Sequence, residues 1–158
     1  MAATTKHAHP TSALMSHLGR LIRMASEQEL ATLSLRPRHL VALTVMRENG
    51  GVSGQQELAT ELGVDRTNLV GLLNELEAEG LILRRRAAED RRRHIVELTP
   101  AGEERLGDAE KAIGAAEDEV LGALSDRQRE QLFELLQQAS AGRAPDCAGA
   151  AAEREEDC

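Results

Sequence analysis

Six arginines, Arg84, Arg85, Arg86, Arg91, Arg92 and Arg93, fall within ten positions of a chain that is otherwise acidic. A guanidinium stays charged at any physiological pH and grips phosphate as a planar fork, so this density points to a polyanion, with DNA the first candidate. Leu81-Ile82-Leu83 precedes the cluster, Ile95-Val96 and Leu98 follow it, and Ala87-Ala88-Glu89-Asp90 sits in its middle. The pattern predicts a two-stranded hairpin, roughly Ile82 to Arg86 and Arg93 to Leu98, with a cationic tip. Alternation along a strand sends successive side chains to opposite faces, so about half of the arginines can face one partner.

The formal charge of the 158-residue chain is −8, yet Arg84 to Arg93 carry +4 with Glu89 and Asp90 included, which leaves −12 elsewhere. Residues 101–141 alone hold −6. A basic hairpin on an acidic body touches a polyanion in one place and is repelled elsewhere, which excludes a nonspecific coat.

Helices must carry this hairpin. Leu14, Leu18, Leu21, Ile22 and Ala25 recur at helical spacing from Thr11. Arg36-Pro37 opens a second helix, with Leu40, Leu43 and Val45-Met46 inward and Asn49-Gly50-Gly51 as its stop. Ser53-Gly54-Gln55-Gln56 has the form of a capping box and predicts a third helix with Leu58, Ala59 and Leu62 inward. After the turn at Gly63-Val64, Asp65 caps a fourth helix through Leu69, Leu72, Leu73 and Leu76 to Gly80. Two short helices around a tight glycine turn make a helix-turn-helix.

Thr99-Pro100 opens a fifth helix, whose Leu106, Ala109, Ile113, Ala116, Val120 and Ala123 step by three and four like a coiled-coil seam. Ser125-x-x-Gln128 opens a sixth, with Leu132, Leu135, Leu136 and Ala139 expected inward. The expected order is α-α-α-α-β-β-α-α. It divides into a flexible arm at 1–10, a first dimerisation helix at 11–35, a DNA-binding region at 36–98, further dimerisation helices at 99–141 and a disordered acidic tail at 142–158. The fold class is mainly α with a small antiparallel β-hairpin.

Other function classes lack their residues. Phe133 is the one aromatic side chain, so a single-strand binder that stacks bases is excluded. No phosphate-cradling glycine loop, HExxH or nucleophile elbow occurs, and His17, His39 and His94 have no partner Ser or Cys in context, so no enzyme is expected. Cys147 and Cys158 form neither a Cys-x-x-Cys nor a disulfide framework. With no apolar signal region at the start and no spanning stretch, a cytoplasmic location without a membrane partner is expected.

Leu76-Glu77-Ala78-Glu79-Gly80-Leu81-Ile82, the Asp90-Arg91-Arg92 of the hairpin and Leu98-Thr99-Pro100-Ala101-Gly102, in that order and spacing, resemble the MarR family of winged helix-turn-helix transcription regulators. The resemblance covers about residues 11–141. It implies a homodimer built on the first, fifth and sixth helices, set on a pseudo-palindromic double-stranded operator and acting as a repressor. A winged-helix module that binds protein instead is the alternative.

The resemblance also assigns residues. The fourth helix would enter the major groove and offer Arg66, Thr67, Asn68, Val70 and Gly71 to bases and phosphates, with Asp65 as its cap. Arg92 would enter the minor groove, its guanidinium held by Asp90, while Arg84, Arg86 and Arg91 would be phosphate contacts. Gly71 stands where many relatives carry a basic residue, and Glu75 faces the same general side, which shifts weight onto the wing. A small anionic or phenolic effector would sit near His17, Arg20, Leu21, Met24, Arg38, His39, Ala42 and Met46. No cofactor is required. Zinc is the minor alternative, with His39 a weak candidate ligand and His7 and His9 on the arm.

Overall fold

The computed structural model describes residues 10–141 except Arg91, so the arm at 1–9, the tail at 142–158 and the expected phosphate contact Arg91 lie outside the described residues. The elements are α1 (Thr11–Thr32), α2 (Pro37–Glu48), β1 (Val52–Gly54), α3 (Gln55–Leu62), α4 (Arg66–Ala78), β2 (Ile82–Arg86), β3 (His94–Leu98), α5 (Pro100–Val120) and α6 (Asp126–Ala139). The six helices and the hairpin stand where the sequence patterns place them.

The hairpin is part of a three-stranded antiparallel sheet of order β1-β3-β2. β1 was not expected. Ser53, read as the cap of the third helix, instead lies buried in β1 opposite Val96, and its Oγ accepts from Asn49 Nδ2 at 3.2 Å. The helix starts one residue later: Glu57 reaches back to accept the Gly54 N–H at 3.2 Å. Three residues are too few to show a strand period, and β1 exists because β3 offers a free edge.

The core is aliphatic and lies under the winged helix. Leu30, Leu43, Met46, Leu58, Leu69, Leu73, Leu76, Leu81, Ile82, Val96 and Leu106 are its largest fully buried side chains. α1 packs chiefly along α5 and α2 against α3 and α5. The backbone of α5 approaches the wing closely at Gly102: a Cβ there would stand 2.1 Å from the Leu81 carbonyl oxygen. Only hydrogen fits, which explains the glycine of the Leu-Thr-Pro-x-Gly run. Thr99 completes the junction, its Oγ1 accepting from Gly102 N at 3.0 Å and donating to the Gly80 carbonyl at 2.8 Å.

The outer helices depart from expectation. Leu135 and Leu136 of α6 were expected inward but are 62 % and 41 % exposed, beside Phe133 at 62 %, and no α6 residue is buried. Leu132 is half-buried and Ala139 exposed. On α1, Leu14, Met15 and Met24 are likewise exposed. The seam of α5 holds at Leu106, Ala109 and Ala116, whereas Ala123 lies beyond the helix and is exposed. A single copy leaves these apolar stripes in water.

Candidate nucleic-acid interface

Asp65 starts α4 as a cap: its Oδ1 accepts the Asn68 backbone N–H at 2.9 Å, and its Oδ2 accepts from Asn68 Nδ2 at 2.6 Å. Leu69, Leu72, Leu73 and Leu76 bury one side of the helix and thereby turn Arg66, Thr67 and Asn68 to solvent on its first turn. Val70 is half-buried at the edge of that face, and Gly71 is open, with no atom within 4 Å of where its Cβ would be. Asn68 is left with its Oδ1 and one side-chain N–H unengaged among the described residues.

Glu75 does not lie loose on that face. Its two oxygens accept from Arg38 Nη2 at 2.6 and 2.7 Å, and Oε2 also pairs with His39 Nε2 at 2.7 Å. His39 is buried, and its Nδ1 accepts the Arg36 backbone N–H at 3.2 Å, so Nε2 carries the proton that goes to Glu75. The His39 bond first, then Arg38, hold the Glu75 carboxyl below the usual glutamate range. Expected to oppose DNA, Glu75 is instead a pin between α2 and α4.

The wing arginines divide by partner. Arg84 is tied to Glu77 of α4, Nε to Oε2 at 2.9 Å, and that bond lowers the Glu77 carboxyl. Arg85 pairs with Glu97 across the sheet, and Arg93 with Glu57 of α3 at 2.9 Å. Arg66, Arg86 and Arg92 are exposed and have no side-chain partner among the described residues. Asp90 serves Arg92 differently from the expectation: its Oδ1 accepts the Arg92 backbone N–H at 2.9 Å, which shapes the tip and leaves the guanidinium fork free. A residue two positions along is the ordinary reach of an aspartate in a turn.

Between wing and recognition helix lies a cleft of about 770 Å³, lined among others by Gln55, Thr60, Arg66, Arg92, Arg93 and His94. The sequence reading gave Gln55 and His94 no role. The signal was the strand register, since His94 pairs with Arg86 and shares its face.

The residues assigned to an effector fall into separate groups. Met46 and Ala42 are completely buried in the core, on the α2 stripe, and α2 packs on α3 and α5. Arg38 and His39 are committed to Glu75. His17 and Arg20 pair with each other on α1 at 3.0 Å, while Leu21 and Met24 are exposed. Both ring nitrogens of His39 are in use, and among the described residues no group of three or more His, Cys, Asp or Glu is placed to hold a metal ion.

Residues 35–94, which hold the helix-turn-helix and most of the wing, match the MarR family model. They form a MarR-family domain. The chain is 38 % identical over 94 residues to a Thauera aromatica protein assigned to transcriptional regulation of the hcr operon. That match takes in 60 % of this chain and 56 % of the relative, so the chain spans little more than half the length of that protein. CouR from Rhodococcus jostii RHA1, solved with p-coumaroyl-CoA, is 25 % identical with a TM-score of 0.62, over 87 % of this chain and 96 % of CouR. MepR of S. aureus, solved as a variant bound to an oligodeoxyribonucleotide, shares the fold at 22 % identity and a TM-score of 0.66, over 83 % and 96 % of the two chains. The MarR-family fold is thus a mostly helical body that carries a small antiparallel sheet as its wing. No helix among the described residues is long and apolar enough to cross a membrane.

Proposed function

We propose that this chain is a transcription regulator that binds double-stranded DNA as a homodimer on a pseudo-palindromic operator, acts as a repressor and is released by a small anionic or phenolic effector. It works by binding, not by catalysis. One observation carries the reading: Arg66, Arg86 and Arg92 stand unpaired on the exposed faces of recognition helix and wing, while carboxylates neutralise the neighbouring arginines. A cation kept free on an acidic protein has phosphate or a base edge as its natural partner.

The oligonucleotide on MepR and the hcr assignment of the Thauera protein support DNA as the ligand, and the thioester on CouR supports an organic acid derivative as effector class. The exposed apolar stripes of α1 and α6 support a two-fold partner that covers them. His17 and Arg20, paired with each other on α1, and Arg38, engaged by Glu75, are the polar side chains of the proposed effector region that are exposed to solvent. Zinc release is the secondary mode, and a thermal-shift titration with zinc and a chelator tests it.

The deciding experiment is footprinting on the DNA that flanks the chain's own gene, with selection from a random duplex library beside it. A protected, inverted-repeat footprint is the expected result. Failure to select any duplex at moderate salt would overturn the reading in favour of a protein-binding winged helix.

A further inference from the structure

The seam between wing and recognition helix holds an imidazole without a charge partner among the described residues. His94 opens β3, is exposed and makes no side-chain hydrogen bond among the described residues. It pairs with Arg86 of β2 in the strand register, and directly opposite residues on one face have Cβ atoms about 5 Å apart. The same imidazole lines the large cleft with Arg66 and Arg92, and a second cleft of about 440 Å³ with Gln55, Arg66, Val70, Glu77 and Arg84. Two unpaired guanidiniums and an imidazole therefore border one opening.

Given the DNA-binding reading, on which this rests, we propose that His94 is itself a DNA contact: protonated, it completes a backbone-phosphate site with Arg66 and Arg86, so that operator affinity rises as pH falls. A duplex that meets the recognition helix in its major groove and Arg92 in the adjoining minor groove runs a backbone past this seam.

The charges around His94 favour the phosphate. On α3, Glu57 is engaged by Arg93; on α4, Asp65 caps the helix, Glu77 is engaged by Arg84, and Arg66 is free. On β2, Arg84 is paired and Arg86 is free, and in the hairpin tip Arg93 is paired and Arg92 is free, beside the carboxylates of Glu89 and Asp90. A phosphate seated beside His94 favours the charged imidazole over the neutral one, so binding takes up a proton wherever the free ring is neutral. Imidazole changes charge between about pH 5 and 8, which puts the effect in a testable range.

The test uses the full chain and the tightest duplex recovered from a random library, with anisotropy titrations at pH 6 and pH 8 and fixed salt. Wild type should bind about fivefold or more tightly at pH 6, the size expected when one imidazole per subunit gains a phosphate partner. His94→Gln should lose that pH dependence and bind at pH 6 as weakly as wild type does at pH 8. His94→Arg should keep tight binding at both. A wild-type pH response that survives in His94→Gln overturns the proposal but leaves operator binding intact, and so does a wild type with no response. If no duplex is bound at either pH, the DNA-binding reading fails and this inference falls with it.

Discussion

His39 of α2 and Glu75 of α4 meet at 2.7 Å, Nε2 to Oε2, and that bond fixes both the ring's tautomer and the pitch of the recognition helix against the helix behind it. Arg38 adds its guanidinium to the same carboxylate. Any movement of α2 is thereby handed to the helix that would read DNA. Glu75→Gln should cost about 1 kcal/mol in urea unfolding, because the carboxylate is partly solvated yet His39 would lose an ionic acceptor. A change below the error of the urea midpoint would remove the pin.

Acid should loosen the same ties. Glu75, Glu77 and Glu110 are held below the glutamate value by His39 with Arg38, by Arg84 and by Arg47 respectively. A carboxyl lowered in the folded state contributes stability above its unfolded value and loses it as pH falls through the folded value. Stability should therefore hold from neutral pH to about pH 5 and decline below about pH 4.3. Glu77→Gln and Glu110→Gln should flatten that decline in urea midpoints measured from pH 6 to pH 3.

Gly102→Ala should destabilise the chain by about 2–4 kcal/mol, since its methyl would collide with the Leu81 carbonyl and a backbone must shift. Gly71→Ala, in open space, should stabilise α4 by about 0.5–1 kcal/mol. Equal urea midpoints for the two variants would contradict the close approach of α5 to the wing.

Arg92→Ala should weaken operator binding at least tenfold, about 1.4 kcal/mol, with the oligomer intact. Arg84→Ala should act mainly on stability through Glu77. The salt dependence separates paired from free cations. With Arg66, Arg86 and Arg92 on each subunit, and Arg91 added, the slope of log K against log salt should be about −5 to −7. If all six wing arginines and Arg66 met phosphate, the slope would be near −13.

Sedimentation should show a dimer, and Leu14→Glu combined with Phe133→Glu should give monomers, because both side chains are large, apolar and 62 % exposed on one copy. A monomeric wild-type chain at micromolar concentration would end the two-fold account.

The helices and hairpin were legible because long periodic segments and capped turns state themselves: Asp65 and Thr99 cap where their types predict, and Gly63 and Gly80 adopt the left-handed turns. β1 was not, because Val52–Gly54 owes its conformation to a neighbour distant in sequence. The arginine run told of charge but not of partners. Glu57, Glu77 and Glu97, which neutralise half of the cluster, lie on other elements, and only the fold brings them in. The helical pattern put Met46 in the buried stripe of α2, where it lies, whereas the resemblance set it near an effector.

The Arg93–Glu57 ion pair, exposed on both sides, links the tip end of the wing to the start of α3. That pair makes Glu57 a rival for any phosphate that seeks Arg93. Grip would then fall to Arg66, Arg86 and Arg92, the cations left without a rival among the described residues.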